Sequence, residues 1–393
     1  SNASVSTVPT ANTLTYNRQA QALVTAGASN DGEMQYSLDG VTYSTEIPTG
    51  INAGNYTVYY KIIGDENHSD SEPATVTVTI SPASISSAIV ELAKPLVYNG
   101  TMQFAEIVVT IDGETLVYQT DYFLSGRSGG TDVGAYFTTV HGMGNYTGDK
   151  RVEWYIEKGI PTADMFVFTA PANLVYDGTA KYATVEVSPE ITGMGAVTVT
   201  YYKEGVAVDP VNAGTYTVKV STAESDKYYA LTDVELGSFT IGKKTVTVSA
   251  TVPDRIYGDD YQVDTSKVVV TFDGVVDGDN VGYVVIDAYY HMHTVTDSAP
   301  VQVVYNVNGA DAGNYQFPEY GDWMAPNYGV QATGKVLPRD IADAQIVLGD
   351  ALTYNGTEQT QSIAGVTIIG KDVTYTVSGN TATNVGVYEL TIT

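Results

Sequence analysis

The densest group of side chains that could bind a ligand lies late in the chain, between residues 315 and 328. Tyr320, Trp323 and Tyr328 stand among turn-forming residues there, and Tyr289 and Tyr290 precede them. An aromatic ring stacks on the apolar face of a sugar while nearby carboxylates and amides bond its hydroxyl groups. The segment therefore predicts a carbohydrate- or protein-binding surface. A simpler interpretation is an elaborated loop in which Trp323 plugs its own domain or seals a joint with the next one.

Two short acidic runs suggest a second kind of chemistry. They contain Asp259 and Asp260 in one place and Asp277 and Asp279 in another. Carboxylate oxygens are the ligands that calcium prefers, but a dedicated calcium loop needs several ligands at alternating positions and a closing bidentate carboxylate. Neither run has that pattern, and Asp-Gly pairs also form ordinary turns. Calcium is the one cofactor that the sequence suggests, and we expect no other.

Residues for covalent or acid–base catalysis are poorly represented. The chain has no cysteine and four histidines, and it contains no Gly-x-Ser-x-Gly motif. A glycosidase needs two carboxylates about 5 to 10 Å apart across a cleft, and no motif singles out such a pair among the 45 acidic residues. These features predict a protein that is not an enzyme.

The charge and composition of the chain limit the kinds of partner that it can bind. The chain has 393 residues with 18 Lys and Arg against 45 Asp and Glu, a net charge of −27, and 43% of its residues are hydrophobic. A polyanion is not attracted to nucleic acid or to anionic membranes. No apolar run approaches the roughly 18 residues of a spanning helix. We expect a folded monomer without membrane insertion, exported by a signal that has been removed from the sequence.

Two motifs recur in a fixed order along the chain. The first contains Tyr16, Tyr98, Tyr176, Tyr257 and Tyr354, at spacings of 82, 78, 81 and 97 residues. The second has the form Asn/Asp-x-Gly-x-Tyr and ends at Tyr56, Tyr136, Tyr216, Tyr315 and Tyr388, at spacings of 80, 80, 99 and 73 residues. Two motifs that return five times in order indicate five tandem repeats.

The repeats have the hydrophobic pattern of β-strands. Residues 75–80 and 245–248 alternate strictly between Thr and an apolar residue, and Asp-Gly pairs such as Asp39-Gly40 separate such runs. Units of roughly 80 to 95 residues with about seven short strands predict antiparallel β-sandwiches. We predict repeat 1 at residues 4–83, repeat 2 at 84–160, repeat 3 at 161–243, repeat 4 at 244–339 and a partial repeat 5 at 340–393.

The second motif has a structural interpretation. In sandwich domains a tyrosine near the start of a late strand bonds the backbone a few residues upstream and pins the crossover. Glycine allows the tight bend, and the Asn or Asp side chain can cap it. We therefore predict tyrosine corners, and no catalytic role, for the five second-motif tyrosines: Tyr56, Tyr136, Tyr216, Tyr315 and Tyr388.

The repeats resemble bacterial immunoglobulin-like (Ig-like) modules of cell-surface proteins. Residues 36–43 and 57–61 carry the resemblance in repeat 1. Repeat 4 is similar to the MBG-type subfamily in residues 244–248, 257–259 and 272–279, with Asp311–Tyr315 following. The resemblance covers nearly the whole chain and implies an all-β tandem array of Ig-like antiparallel sandwiches. It is specific for fold and not for function, because such modules serve as stalks, spacers and adhesive tips.

Together these features predict an extracellular stalk on a bacterial cell surface, in an adhesin-like protein. Modules about 30 Å long would give an elongated rod of well over ~100 Å. The alternative is a binding module for polysaccharide or a host surface protein, with its site in repeat 4. A third hypothesis starts from repeat 5, which appears in the sequence without its last strand: an edge there could recruit a partner chain.

Overall fold

The computed structural model describes residues 1–318 and 328–393 of the chain. Its regular elements are β-strands joined by turns and by a few 3₁₀-helices of three residues each. No helix among these described residues is long and apolar enough to cross a membrane. The predicted all-β fold class is confirmed. The alternating Thr and apolar runs explain it, because such runs bury one face of a strand and leave the other in water.

Repeats 1 and 2 contain nineteen strands. Those of repeat 1 are β1 (Thr10–Ala11), β2 (Leu14–Thr15), β3 (Gln21–Ala22), β4 (Val24–Thr25), β5 (Gly32–Ser37), β6 (Thr49–Gly50), β7 (Gly54–Gly64) and β8 (Ala74–Ser81). Those of repeat 2, including one that begins at the border, are β9 (Ala83–Ser84), β10 (Ile89–Leu92), β11 (Leu96–Val97), β12 (Gln103–Phe104), β13 (Ile107–Ile111), β14 (Glu114–Thr115), β15 (Tyr122–Gly126), β16 (Gly129–Gly130), β17 (Gly134–Gly142), β18 (Tyr146–Thr147) and β19 (Asp149–Glu157).

The described part of repeats 3 to 5 continues the same pattern. Repeat 3 has β20 (Phe166–Thr169), β21 (Thr184–Val187), β22 (Val197–Lys203), β23 (Val206–Ala207), β24 (Gly214–Thr222) and β25 (Leu231–Ile241). Repeat 4 has β26 (Lys244–Thr245), β27 (Thr247–Thr251), β28 (Arg255–Ile256), β29 (Val269–Asp273), β30 (Gly282–Tyr290), β31 (Thr296–Asn308), β32 (Tyr315–Gln316) and β33 (Tyr328–Leu337). Repeat 5 has β34 (Gln345–Leu348), β35 (Gln359–Thr360), β36 (Ile363–Ile368), β37 (Lys371–Asp372), β38 (Val377–Ser378), β39 (Thr381–Ala382) and β40 (Thr391–Ile392).

Five 3₁₀-helices lie within these ranges. They are Ile85–Ser87, Ala163–Met165, Thr265–Lys267, Ala312–Asn314 and Ile341–Asp343. Three of them begin after a side chain that accepts a hydrogen bond from the backbone two residues on, at Ser84, Asp264 and Asp340. These are ordinary N-caps, which stabilise the turn that opens a repeat or precedes a strand.

The chain forms two compact units. Unit 1 comprises Ser1–Val167, Val185–Val199 and Val220–Glu235, and unit 2 comprises the remaining segments, Phe168–Thr184, Thr200–Lys219 and Leu236–Thr393. Repeat 3 therefore contributes residues to both units. Within unit 1, repeat 1 has a four-stranded sheet in the order β2-β8-β7-β5, and repeat 2 has the equivalent sheet in the order β11-β19-β17-β15.

The core of repeat 2 lies between that sheet and a second, three-stranded sheet in the order β10-β13-β14. Val109 and Ile111 of the smaller sheet pack in one cluster with Val140 and Trp154 of the larger one. Within unit 2, repeat 4 repeats the large sheet in the order β28-β33-β31-β30. Its core is filled by Val, Ala and Tyr side chains of β30, β31 and β33, among them Tyr305.

The first motif closes each of the first four repeats. Leu14 pairs in parallel with Ile80 of the last strand, Leu96 pairs with Ile156, and Arg255 pairs with Val336. The motif tyrosine then donates its backbone N–H to the last strand, as at Tyr16, where the carbonyl of Ser81 is 2.8 Å away. The first motif is therefore an edge strand laid along the end of its own repeat.

The second motif forms a hydrogen-bonded corner in four repeats. The hydroxyl groups of Tyr56, Tyr136, Tyr216 and Tyr388 each donate to the carbonyl oxygen four residues upstream, over 2.7 to 2.9 Å. The glycines of the first three motifs, Gly54, Gly134 and Gly214, have φ between +141° and +146°. A side chain would strain this backbone, which explains why glycine recurs two residues before the tyrosine.

Tyr315 does not form such a corner, and its prediction is corrected. Its hydroxyl donates to Asp279 and not to the carbonyl of Asp311. The reason is topological: Tyr315 follows β31, in the loop that leads to the last strand, whereas the corner tyrosines lie at the start of the central strand. The spacings of 99 and 73 residues, against 80 elsewhere, were the signal of this difference.

Candidate functional site: the tyrosine joints between repeats

Repeats 1 to 4 meet through a pair of tyrosines at each of their three joints. The first-motif tyrosine of one repeat contacts a tyrosine from the loop before the last strand of the next repeat. The pairs are Tyr16 with Tyr146 at joint 1/2, Tyr98 with Tyr228 at joint 2/3, and Tyr176 with Tyr315 at joint 3/4. Their ring centroids lie 5.4, 5.3 and 5.5 Å apart at interplanar angles of 85°, 87° and 84°. The same edge-to-face geometry, favoured for aromatic rings, thus occurs three times.

Each joint is also closed by the backbone of the linker. At joint 1/2, β9 pairs in parallel with β18, with Ala83 opposite Tyr146. At joint 2/3 the N–H of Gly159 donates to the carbonyl of Lys227 over 2.9 Å. At joint 3/4, β26 pairs in parallel with β32, with Lys244 opposite Tyr315. The first residues of each new repeat are therefore held beside the tyrosine that contacts the preceding repeat.

An asparagine makes the polar contact at joints 1/2 and 3/4. At joint 1/2, Asn145 accepts a hydrogen bond from the backbone of Ala53 over 2.8 Å and donates to the side chain of Asn52 over 3.2 Å. At joint 3/4, Asn314 accepts from Ala213 over 2.9 Å and donates to Asn212 over 3.0 Å. Both asparagines immediately precede the joint tyrosine, and both bind the second motif of the preceding repeat.

Joint 2/3 replaces the two asparagines with an ion pair. Asp132 stands where the other second motifs have Asn52 and Asn212, and Lys227 precedes Tyr228 as Asn145 precedes Tyr146. The Lys227 ammonium lies 3.5 Å from the Asp132 carboxylate and 5.1 Å from the centre of the Tyr98 ring. Contact with the Tyr98 hydroxyl raises the pKa of Lys227. Both members of this contact therefore differ from their counterparts at joints 1/2 and 3/4.

The hydroxyl groups of the joint tyrosines have different partners. Arg18 donates to the Tyr146 hydroxyl, 2.9 Å from its terminal nitrogen, and also to the carbonyl of Ile111. At joint 3/4, both Tyr176 and Tyr315 donate to one carboxylate oxygen of Asp279. Burial, followed by the bond to this carboxylate, raises the pKa of Tyr315 to about 12 and also raises the pKa of Tyr176. Both hydroxyls therefore stay protonated at neutral pH.

Joint 4/5 uses an arginine in place of the tyrosine pair. Arg339 donates to the carbonyl of Tyr257 over 3.0 Å and forms ion pairs with Asp259 and with Asp343, the latter also at 3.0 Å. Ile369, on the turn between β36 and β37, approaches Gly258 closely. Within the described part of repeat 5, no tyrosine contacts the Tyr257 ring.

The residues predicted to bind a ligand in repeat 4 do not gather into one surface. Tyr320 and Trp323 lie outside the described residues. Tyr290 is only 3% exposed and its hydroxyl donates to the carbonyl of Pro253, so it has no free face for a sugar, and this interpretation is corrected. Tyr328 stacks on Tyr305 at 5.9 Å and packs against the core. Tyr289 lies at the end of β30 against His291.

The four aspartates proposed for calcium lie in two separate environments. Asp259 pairs with Arg339, and Asp260 accepts from the backbone of Gln262 over 3.1 Å. Asp279 is bonded by the two joint tyrosines, and Asp277 lies exposed in the preceding turn. Residues 1–318 and 328–393 contain no group of three or more His, Asp or Glu side chains that could hold a metal ion.

Repeat 2 contains a hydrogen-bonded trio that the sequence did not reveal. Ser125 Oγ lies 2.5 Å from His141 Nε2, and His141 Nδ1 lies 2.6 Å from the carboxylate of Asp149. This is the bonding order of a Ser-His-Asp triad. The three residues come from β15, β17 and β19 and stand on the outer face of the sheet. The Asp149 side chain is 67% exposed, whereas the acid of a working triad is buried to orient its histidine.

The joint tyrosines Tyr146 and Tyr228 were missed because they follow no shared sequence motif. Asn145-Tyr146 precedes Thr, whereas Lys227-Tyr228 precedes Tyr. Their common feature is a position just before the last long strand of the repeat, 146 − 136 = 10 and 228 − 216 = 12 residues after the second-motif tyrosine. The joint tyrosines are spaced by 228 − 146 = 82 and 315 − 228 = 87 residues, so alignment of whole repeats with gaps would have identified the group.

Comparisons with known proteins add little. No family model matches the chain, and no curated protein matches it. Similar solved structures include a protocadherin gammaB7 EC3-6 cis-dimer, 10% identical with a TM-score of 0.18 over 80% of this chain and 95% of that one. The human desmocollin-1 ectodomain is 9% identical with a TM-score of 0.18 over 95% of this chain and 88% of that one. TM-scores of this size carry no argument about function.

Proposed function

We propose that the chain is a non-catalytic stalk or spacer of an exported bacterial cell-surface protein of the adhesin type. The observation that carries this proposal is the recurrence of one joint geometry. Three joints place a tyrosine pair at nearly the same distance and angle, beside a linker that pairs in parallel with the incoming loop. Domains that are only loosely tethered do not require the same contacts at each joint.

Several weak contacts together restrict the movement of each joint. An edge-to-face aromatic pair contributes about 0.5 to 1.5 kcal/mol beyond burial, and a hydrogen bond about 0.5 to 1.5 kcal/mol. The ring pair, the side-chain contact and the linker backbone act at different points of each joint, so bending must break all three. Linkers of two or three residues leave little slack for independent motion.

The bacterial surface location rests on the resemblance to Ig-like surface modules and on composition. With a net charge of −27, the chain repels its copies, which favours solubility at high local density. The absence of cysteine from the sequence suits an exported protein that does not use disulfides. A receptor for polysaccharide or host protein in repeat 4 is the weaker hypothesis, because Tyr290 and Tyr328 pack inward.

Distance measurement across one joint tests the proposal. The sequence lacks cysteine, so Thr77→Cys in repeat 1 and Glu91→Cys in repeat 2 place two spin labels at exposed positions on either side of joint 1/2. Electron–electron double resonance is expected to give one narrow distance distribution. Tyr16→Ala should broaden it, because the Tyr146 ring and the Arg18 contact lose their packing partner.

Tyr59→Ala is the matched control, because it removes a half-buried tyrosine of repeat 1 away from the joint. It is expected to leave the distribution unchanged. An equally broad distribution in the parent protein and in Tyr16→Ala would show that the joint does not restrict its repeats and would contradict the stalk proposal.

A further inference from the structure

Repeat 2 contains a slot between the outer edges of its two sheets. β10 is the outer strand of the smaller sheet, and β19 of the larger sheet pairs with β11 only at Ile156 and Glu157. The slot between β10 and β19 has a volume of about 370 Å³, within the range of about 300 to 1,000 Å³ that is usual for ligand sites. The chain is continuous from β9 to β19, so both walls of the slot belong to the same repeat.

The floor of the slot is apolar. Leu96, Ile107 and Trp154 line it and are buried in the core of repeat 2. Val90 and Val152 also line it, and they pack against this core but are only partly buried. An apolar side chain that enters the slot is therefore removed from water together with these two valines.

Both lips of the slot are acidic. Glu91 on β10 and Glu153 and Glu157 on β19 are exposed lining residues. Within residues 1–318 and 328–393, none of the three forms an ion pair. Lys94 and Lys150 lie near in sequence but do not line the slot, and the Lys150 ammonium donates to backbone carbonyls just before β10. The lips therefore attract a cationic ligand.

The edge of β19 also offers backbone groups to a strand. Tyr98 donates its N–H to the carbonyl of Glu157 over 2.8 Å on this side of β19. Because backbone groups alternate in direction along a strand, those of Arg151 and Glu153 point to the same side. In the described part of the chain, no strand pairs with residues 149–155 on that side. An extended segment in the slot can therefore pair with β19 as β11 does further along.

The corresponding strands lie closer together in repeats 1 and 4. There β1 packs against β8 and β27 packs against β33, whereas β10 approaches β19 less closely. The first strand of repeat 2 therefore leaves more of the edge of its last strand open.

We propose that this slot is a docking site for an extended, basic segment of a partner protein. The segment alternates apolar residues, which enter the slot, with Lys or Arg residues, which meet Glu91, Glu153 and Glu157 on the lips. The open backbone of β19 favours a peptide over a small organic cation. A second copy of this chain is a poor occupant, because each copy carries a net charge of −27.

Binding of synthetic peptides to the full chain tests the proposal. The probe is a fluorescent peptide of sequence Lys-Val-Lys-Val-Lys-Val-Lys, and the control peptide, Lys-Ser-Lys-Ser-Lys-Ser-Lys, has the same charge without the apolar face. Fluorescence anisotropy should show saturable binding of the probe and at least about tenfold weaker binding of the control, because serine leaves the apolar floor uncovered. Equal binding of both peptides, or no binding of the probe, overturns the proposal.

Two charge reversals on the lips locate the site. Glu91→Lys combined with Glu153→Lys should weaken probe binding at least about tenfold, because both lips then repel the peptide. Glu33→Lys combined with Glu186→Lys is the matched control, since it makes the same change of charge at exposed strand positions of repeats 1 and 3. The control pair should leave binding within about twofold of the parent protein, because charges this remote are screened. Equal weakening by both pairs overturns the assignment to the slot.

Circular dichroism shows whether both double variants fold. If the slot variant does not fold, the two peptides still decide the outcome. Sedimentation covers a second copy as the occupant: dimers of the parent chain that exclude the probe would overturn the assignment to a separate partner.

Discussion

The asparagines of joints 1/2 and 3/4 and the Asp-Lys pair of joint 2/3 perform one task with different chemistry. Asn145 and Asn314 satisfy a backbone N–H of the preceding repeat, whereas Lys227 meets a carboxylate and the face of an aromatic ring. The first kind of contact is neutral and the second depends on charge. This difference predicts how each joint responds to salt.

We expect Asn145→Ala to destabilise joint 1/2 by about 1 kcal/mol at any salt concentration, because it leaves the N–H of Ala53 without its acceptor. Lys227→Ala should have a smaller effect that disappears in 0.5 M salt, since Asp132 is 74% exposed and its attraction is screened. Denaturant unfolding at low and high salt measures both. A salt-dependent loss for Asn145→Ala would contradict the assignment of a neutral contact.

Joint 3/4 should be sensitive to alkali. The pKa of Tyr315 is raised to about 12 by burial and by Asp279, against an ordinary value of 10. The protonated Tyr315 side chain therefore contributes its full stabilisation below pH 10. This stabilisation is lost as the pH rises through 12, because the phenolate is disfavoured in the folded protein. Absorbance titration of the parent protein minus Tyr315→Phe should give a midpoint near the higher value.

Asp279→Asn provides the control for this titration. It removes the negative charge but retains the burial of the ring, so the midpoint should fall while staying above the ordinary value of a tyrosine. A Tyr315 midpoint near pH 10 in the parent protein would show that the hydroxyl is neither buried nor bonded to the carboxylate.

We expect the trio of Ser125, His141 and Asp149 to be catalytically inactive. Its acid is largely exposed on an open sheet face, where water competes for the carboxylate and no cleft excludes solvent from a substrate. We expect the parent protein and Ser125→Ala to show the same background labelling by a fluorophosphonate probe. Labelling of the parent protein that is absent from Ser125→Ala would show an activated serine and would contradict the non-catalytic assignment.

At the scale of elements, the tyrosine corner illustrates how burial decides the value of one hydrogen bond. Tyr216 and Tyr388 make the same bond to a carbonyl four residues upstream, at 2.8 and 2.9 Å, but Tyr216 is buried and Tyr388 is half exposed. If the hydroxyl group is removed, water can bond to the freed carbonyl oxygen only at the exposed Tyr388 corner. The two corners therefore form a matched pair in one chain.

Tyr216→Phe should lower the free energy of unfolding by about 1 kcal/mol, and Tyr388→Phe should change it by less than about 0.5 kcal/mol. Thermal unfolding followed by circular dichroism compares the two variants. Equal losses at both positions would mean that solvent does not reach the Tyr388 corner.

The sequence predicted the elements well and the contacts between repeats poorly. Period-two alternation and the motif at Tyr56 and Tyr136 were sufficient for strands and corners, because both depend on residues close in sequence. Tyr315 was assigned to a corner because its local motif matches, although its place in the topology differs. The joints pair residues about 80 to 140 positions apart, such as Tyr16 with Tyr146, and no local pattern reports such a contact.

At the scale of the whole molecule, the joints between repeats share one plan. One set of contacts, varied in its side chains, recurs at joints 1/2, 2/3 and 3/4, and Arg339 replaces it at joint 4/5. The proposed stalk requires that these joints add up to a persistent spacing along the chain. Small-angle X-ray scattering of the monomer in dilute solution measures that property directly.

A compact body of 393 residues has a radius of gyration of about 21 Å. The stalk account predicts a value above about 30 Å, as for a rod well over ~100 Å long built from modules of about 30 Å. A radius close to the compact value would contradict the stalk and would leave the joints as packing contacts inside a globular protein.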